Sequence, residues 1–330
     1  MNRFLALDTW GVIRRWEFWL FILVVITFVW ASTMSPYFFS LSNLFSVAQQ
    51  QAVVALLALG LAPVILAGEI DLSIASISEV SLVTFALLWH AGITLWVAVA
   101  LSLIMGTLLG FINGVLVTVL KISSLAVTIG TMIAYAGLAL LMMGGGAITG
   151  FPTALTALGV GTLGQSPITI SILILAGASM VVGVIIHGSR MGKYIYAVGG
   201  NKEASRFAGV PVNTVKIFVF ILSGLFAAGA GIMYAAYLDT AIANAASTDL
   251  LPAVTIVLFG GVDFVGGSGT LLGVLMAWIL ISTLENGLGL IGVSGEVQII
   301  AVGLLLIASL SVKNFARGLR LRTKKRVETP

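Results

Sequence analysis

The sequence predicts an all-α, polytopic membrane protein, and three observations lead to this fold class. Of the 330 residues, 59% are apolar and only 8% are charged, whereas a soluble domain carries about 25% charged residues. Apolar runs that approach the ~20 residues needed to cross a bilayer recur along the chain. Basic residues are concentrated at both ends and in one central segment, which is typical of cytoplasmic loops. A water-soluble globular protein is therefore excluded.

Ten apolar segments are candidates for transmembrane helices. The first follows a basic stretch, but no small-residue cleavage site comes after it, so we interpret it as an uncleaved span and not as a signal peptide. The ten segments cover residues 18–33, 52–67, 73–89, 93–119, 124–142, 168–186, 217–237, 250–259, 270–290 and 297–311.

The basic residues predict which parts of the chain face the cytoplasm. Segment 1–17 contains three arginines, segment 187–216 contains five basic residues and one acidic residue, and segment 313–330 contains seven basic residues. Because basic loops stay inside, the N-terminus, the central loop and the C-terminus are all predicted to be cytoplasmic. Six spans before the central loop and four after it satisfy this arrangement. The net charge of +4 is thus explained by topology and gives no indication of nucleic-acid binding.

The second span is predicted to be interrupted near its end. Pro63 removes a backbone hydrogen bond and Gly68 permits a turn, and the third span follows with almost no loop. Non-helical backbone at this depth must be enclosed by protein or line a wet cavity. Asp71 is predicted to be the N-cap of the third span, where its carboxylate meets backbone N–H groups. An additional role in binding or gating a solute is left open.

Polar residues are rare in the predicted spans, where each is costly unless it faces a partner or a cavity. Their amides, hydroxyls and carboxylates suit hydrogen bonds to a small polar solute, and hydrogen bonds between helices are the alternative. The candidate residues for a solute path are Gly68, Asp71, Ser73, Glu79, Asn113, Glu285 and Asn286.

Several kinds of chemistry are not indicated by the sequence. It contains no cysteine, no phosphate-binding loop, no H-E-x-x-H pair and no Gly-x-Ser-x-Gly turn. No catalytic residue, metal site or cofactor is therefore predicted, and the chain is not expected to hydrolyse ATP itself.

A short helix is predicted within the central basic segment. Asn201 is a favourable N-cap, Gly209 is a favourable stop, and Pro211 prevents any continuation. So short a helix is unstable alone and needs a protein surface, either that of a partner or that of its own membrane domain. The residues of this predicted docking segment are Asn201, Lys202, Glu203, Ala204, Ser205, Arg206, Phe207, Ala208 and Gly209.

Three motifs follow one another along the chain: Ala67-Gly68-Glu69-Ile70-Asp71-Leu72-Ser73, the loop from Tyr196-Ala197-Val198-Gly199-Gly200-Asn201 to Ala208-Gly209-Val210, and Val257-Leu258-Phe259-Gly260-Gly261 with Gly266-Gly267-Ser268-Gly269. In this order they resemble the permease subunits of bacterial carbohydrate ABC importers, in the branch that serves ribose, xylose, galactose, rhamnose and autoinducer-2. The resemblance covers residues 40–312. The chain departs from the usual pattern at Glu69, Ala75 and Glu79, where the family has glycine or another small residue, and this leaves the sugar open.

The resemblance implies a single transmembrane permease domain, residues 1–330, in the bacterial inner membrane, with segment 187–216 as the coupling loop. The implied partners are a cytoplasmic ATP-binding subunit, a second permease subunit (the same chain or a paralogue) and a periplasmic sugar-binding protein, beside the membrane lipid that the spans require. The alternative is a gradient-driven secondary transporter of a small polar solute, with Glu79 or Glu285 as its proton site.

Overall fold

The computed structural model describes residues 16–308 and residue 311, and this part of the chain is a bundle of α-helices. The predicted helical class is confirmed. The only strands in the described ranges are Ile148–Thr149 and Thr240–Ala241, which form one short antiparallel pair. Nearly all of the predicted cytoplasmic segment 1–17 and the basic tail 313–330 lie outside the described residues.

Fourteen α-helices follow one another along the described chain. Serine and threonine N-caps begin several of them; Ser123, Ser189 and Thr270, for example, each accept a backbone N–H three residues further on. The first eight are α1 (Trp16–Met34), α2 (Leu41–Gln50), α3 (Ala52–Leu66), α4 (Ile74–His90), α5 (Leu95–Val119), α6 (Ser124–Met143), α7 (Thr153–Val160) and α8 (Ile170–Gly183). A turn of π-helix at Val184–Gly188 leads to α9 (Arg190–Gly200), α10 (Lys202–Phe207), α11 (Val212–Leu238), α12 (Leu250–Phe259), α13 (Leu271–Leu290) and α14 (Gly295–Ala308).

Six of the described helices are long and apolar enough to cross a membrane, namely α1, α5, α6, α8 with its π-helical turn, α11 and α13. Helices α2 and α3 meet at an angle of 50° and make a seventh span if they are counted together. Helices α4, α12 and α14 are apolar but shorter. Each of the ten predicted spans therefore coincides with a helix, while six, or seven with the bent pair, have spanning length.

The centre of the bundle is formed by α3, α4 and α11. Every residue of α3 is buried, as are the first thirteen residues of α4. In the most apolar window of α11, 67% of the residues are buried, against 11% in that of α1. Helix α1 therefore lies at the periphery, where its apolar side chains suit contact with lipid.

Helices α5 and α11 pack with their backbones close together. A methyl group added to Gly110 would lie 3.1 Å from the Cα of Gly224, and one added to Gly106 would lie 2.6 Å from the Cβ of Ala228. Small residues at such crossings permit the close approach that stabilises helix pairs in lipid. This contact holds α11 at the centre of the bundle.

One end of the bundle, which we call the α10 end, gathers turns that are distant in sequence. The indole Nε1 of Trp16, at the start of α1, donates to the carbonyl of Phe259 (2.8 Å) at the end of α12. The N–H of Gly267 donates to the carbonyl of Leu66 (2.9 Å) at the end of α3, and the loop of Gly267 contacts Gly199, just before α10. The start of α1 and the predicted docking helix therefore lie at the same end.

Candidate functional site

The turn between α3 and α4 lies at the α10 end and is built around Gly68. Helix α3 ends at Leu66, and Gly68 adopts φ +75°, a left-handed conformation that glycine accepts readily. Helix α4 begins at Ile74. The turn predicted between the second and third spans is therefore present.

Asp71 is completely buried in this turn and accepts three hydrogen bonds. Its Oδ1 accepts from the N–H (3.0 Å) and the hydroxyl (2.6 Å) of Ser73, and its Oδ2 accepts from the hydroxyl of Ser223 (2.7 Å) on α11. The prediction that Asp71 is the N-cap is wrong by two residues, because Ser73 occupies the N-cap position of α4. The carboxylate still accepts one backbone N–H, as expected.

The hydrogen bonds of Asp71 continue into a network that joins four helices. Asn113 on α5 donates its amide to the hydroxyl of Ser73 (2.7 Å), and the hydroxyl of Tyr135 on α6 donates to the amide oxygen of Asn113 (3.2 Å). Three predicted solute-path residues, Asp71, Ser73 and Asn113, thus contact one another. Their polar groups are satisfied by protein, so the geometry favours hydrogen bonding between helices for these three.

Two further members of the network, Ser223 and Tyr135, are not recognisable from sequence. Ser223 lies 152 residues after Asp71, in a long apolar helix, and no local pattern distinguishes it from other serines. Tyr135 lies on α6, whose predominantly apolar sequence predicts contact with lipid. Only the packing of α6 and α11 against α5 shows that both hydroxyls reach the network.

Glu285 and Asn286 lie at the opposite end of α3 from Asp71. Gln51, just before α3, donates its side-chain amide to the carboxylate of Glu285 (2.6 Å). Asn43 and Asn286 exchange two amide hydrogen bonds of 2.9 and 3.1 Å. The fifteen residues of α3 separate this group from the Asp71 network by about 22 Å at 1.5 Å per residue, so the structure does not bring the candidate residues into one cluster.

Glu79 lies between these two groups, on α4. Its side chain is buried. The carboxylate accepts from the backbone N–H of Ala246 and lies near the like-charged carboxylate of Asp249. Its Oε1 has no hydrogen-bond partner among the described residues. Buried polar groups without a partner are uncommon and costly. Six buried hydroxyls also have no partner in the described chain, namely those of Ser78, Ser81 and Thr84 on α4, Thr131 on α6, Thr169 just before α8 and Ser282 on α13. Helix α4 thus carries polar groups that a polar solute or water would satisfy.

The predicted docking helix is present at Lys202–Phe207, as helix α10. The side chain of Asn201 accepts the N–H of Ala204 (2.9 Å), and Gly209 follows the helix with φ +80°. Phe207 is 89% exposed, whereas Ser205 is buried against the bundle. Helix α10 therefore presents an aromatic side chain away from its own domain.

Helix α9, which precedes α10, is absent from the sequence-based prediction. Ser189 caps it by accepting the N–H of Gly192 (3.2 Å), and Ile195 and Val198 are buried on one face. Its four glycines, Gly188 just before it and three within it, make the sequence look like a loop. The pairing of a serine cap with apolar residues three apart is the available signal.

The three glycine-containing motifs meet at the α10 end. A methyl group on Gly266 would lie 2.6 Å from the Cα of Gly68, and one on Gly68 would lie 3.5 Å from the Cα of Gly199. We call this contact of Gly68, Gly199 and Gly266 the glycine junction. It places the end of α9 directly against the turn between α3 and α4.

Comparison with known proteins identifies a family and several relatives to which the chain is similar. Residues 43–310 match the family described as branched-chain amino acid transport system / permease component. The ribose import permease protein RbsC of Escherichia coli is 34% identical over 295 residues, which cover 89% of this chain and 91% of the relative. The autoinducer 2 import system permease protein LsrD of Klebsiella pneumoniae is 30% identical over 299 residues, covering 89% and 90%. No solved structure matches the chain.

Proposed function

The chain belongs to the family of branched-chain amino acid transport system permease components, and from its similarity to the ribose and autoinducer 2 import permeases we propose that it forms the import path of a small sugar or sugar-like solute. It is the multi-pass, inner-membrane permease subunit of an ATP-driven importer, and ATP is hydrolysed by a separate subunit. The observation that carries the sugar assignment is the similarity to a ribose import permease over 89% of the chain.

We propose that the whole chain forms one transmembrane domain with ten membrane segments and cytoplasmic termini. In this arrangement the short helices α4, α12 and α14 complete the six long helices and the bent pair. The proposal is supported by the gathering at one end of the start of α1, the turn after α3 and the loop before α13. The basic central loop supports a cytoplasmic position for the α10 end.

The ATP-binding subunit is proposed to dock on α10, since Phe207 is 89% exposed on a helix that is too short to stand alone. A periplasmic binding protein delivers the solute from the opposite end. A second permease subunit, identical or paralogous, completes the membrane part of the importer, in keeping with the resemblance of the three motifs.

The solute path is proposed to run along α4, where the Oε1 of Glu79 and the hydroxyls of Ser78, Ser81 and Thr84 have no hydrogen-bond partner among the described residues. Glu285 and Asn286 would contact the solute near the outer end of the path, where they already bind Gln51 and Asn43. Gly68, Asp71, Ser73 and Asn113 would act from the inner end, chiefly by fixing the start of α4.

Reconstitution tests the function directly. The chain, its co-purified ATP-binding subunit and the binding protein are placed in vesicles, and uptake of labelled ribose, xylose, galactose and rhamnose is measured with and without ATP. We expect uptake of at least one sugar that requires both ATP and the ATP-binding subunit. Uptake by the chain alone under an imposed proton gradient would support the gradient-driven alternative, and ATP-dependent uptake of none of these sugars would contradict the sugar assignment.

A further inference from the structure

A polar cavity of about 570 Å³ opens beside α10, between the end of α5, the start of α6 and the start of α11. Its lining includes four basic side chains, those of Lys121, Lys202, Arg206 and Lys216, and one acidic side chain, that of Glu69. We call this cavity the basic pocket. Gly68 of the predicted solute path lines this pocket, but no residue of α4 does, and neither does Phe207.

The positive charges of the basic pocket are only partly balanced by acidic groups of the described residues. Lys216 and Glu69 form a buried ion pair, which neutralises one of the four cations. No ion pair involves Lys121, Lys202 or Arg206 in the described ranges. The nearby ammonium group of Lys216, followed by partial burial, lowers the pKa of Lys202 below its usual value. The pocket therefore holds positive charges that repel one another, and a bound anion would offset this repulsion.

The side chains that line the pocket also have the chemistry to hold an anion. An arginine guanidinium binds phosphate oxygens through two parallel hydrogen bonds, and lysines add point charges. The start of α6, at Ser123 and Ser124, opens into the same cavity and adds the positive end of a helix dipole. Lys121 is held at φ 56°, a backbone conformation that residues with a Cβ rarely adopt.

We propose that the basic pocket binds the phosphate group of an anionic ligand, which is either an anionic phospholipid headgroup or a phosphorylated small molecule of the cytoplasm. The proposal rests on the cytoplasmic placement of the α10 end made above. A basic pocket between helices at the cytoplasmic surface is suited to lipid phosphate, and its opening beside α10 also admits a soluble phosphate. In both cases the ligand joins Lys202 and Arg206 on α10 to Lys121 in the loop between α5 and α6.

Thermal unfolding of the purified full-length chain in a neutral detergent tests the proposal, because a ligand that binds the folded state raises the midpoint of unfolding. Inorganic phosphate and a short-chain phosphatidylglycerol are titrated separately, with chloride at equal ionic strength as the reference. We expect a saturable rise with at least one of the two phosphate sources. Saturation by inorganic phosphate identifies a soluble source, and saturation by the lipid alone identifies a headgroup.

Substitutions locate the binding site. Lys121→Gln and Arg206→Gln should each weaken the apparent affinity about tenfold, which is typical of the loss of one hydrogen bond to a charged group. The matched control is Lys193→Gln, because Lys193 is exposed on α9 and does not line the pocket. No rise relative to chloride, or equal affinity in all three variants, would overturn the proposal. Because Lys121 lies outside α10, its variant also separates this proposal from docking of the ATP-binding subunit.

A rise in the unfolding midpoint with the purified ATP-binding subunit that Lys121→Gln abolishes, together with no rise for either phosphate source, would identify an acidic group of that subunit as the occupant. This result would also overturn the proposal. The experiment requires no sugar transport, so its outcome is independent of the substrate assignment.

Discussion

Asp71 is a buried carboxylate whose hydrogen bonds fix the start of a central helix. All three of its hydrogen-bond donors belong to Ser73 and Ser223, so its removal leaves a buried N–H and two hydroxyls without their acceptor. Each such group costs roughly 1–3 kcal/mol when it is left unpaired. The hydrogen bonds of Asp71 therefore position α4 relative to α11, and we expect transport to depend on this position.

We expect Asp71→Ala to lower the midpoint of thermal unfolding and the rate of sugar uptake, and Asp71→Asn to have a smaller effect on both. The amide of asparagine keeps an acceptor for Ser73, and its NH₂ group donates to the hydroxyl of Ser223. Unfolding in detergent and uptake in vesicles are measured for both variants beside Glu296→Ala, which removes a fully exposed carboxylate. Wild-type behaviour of Asp71→Ala would show that the network does not stabilise the turn.

The local sequence around Asp71 is sufficient to predict a buried turn, because glycine and an acidic residue directly before a span interrupt the helix where protein or a wet cavity must enclose the backbone. It is not sufficient to identify the partners. Asn113 is recognisable as a polar residue in a span. Ser223 and Tyr135 are missed because only the packing of α11 and α6 brings their hydroxyls within hydrogen-bonding distance of Asp71 and Asn113. Long-range hydrogen bonds of this kind have no local signature.

Among the helices, α10 is the one on which the ATP-binding subunit is proposed to dock. Its cap and its stop agree with the sequence-based expectation, and its Phe207 is exposed. Helix α9 is missed because glycines outweigh its apolar face in the sequence. The difference is physical: capping is encoded within four residues, while a glycine-rich helix is stabilised mainly by the surface against which it packs.

We expect Phe207→Ala to weaken retention of the ATP-binding subunit and to reduce sugar-stimulated ATP hydrolysis. An exposed aromatic anchor that becomes buried in an interface contributes roughly 2 kcal/mol or more, which corresponds to a loss of affinity of about 30-fold. Co-purification and ATPase assays of the solubilised complex measure both effects. Phe39→Ala is the matched control, because Phe39 is 66% exposed and lies outside α10. Unchanged retention and unchanged coupling would argue against docking on α10.

For the whole molecule, hydropathy locates every central helix but not the number of crossings. An apolar run of 10–17 residues predicts burial without distinguishing protein from lipid as the surroundings, and α4, α12 and α14 are of this kind. The long helices are correctly predicted because a run of about 20 apolar residues typically forms a membrane-spanning helix. Whether each of the three shorter helices crosses the membrane depends on tertiary packing.

Cysteine labelling in intact cells tests the proposed orientation, since the chain contains no natural cysteine. We expect an impermeant maleimide to react with Leu163→Cys, in the loop before α8, and not with Lys202→Cys, on α10, until the membrane is opened. Arg3→Cys and Arg322→Cys should behave like Lys202→Cys, because the basic segments are proposed to be cytoplasmic. Labelling of Lys202→Cys from outside would rule out six segments before the central loop and four after it.

The glycine junction has a mechanical consequence for the importer. Where side chains separate two elements, a small displacement is absorbed by changes of rotamer, and little of it reaches the neighbour. At Gly68, Gly199 and Gly266 backbone lies against backbone, so this compliance is lost. A shift of α9 imposed by a partner on α10 would therefore be transmitted to the start of α4 almost undiminished. Because this contact is stiff, a helix of only six residues would be enough to pass a movement of the partner to the membrane helices.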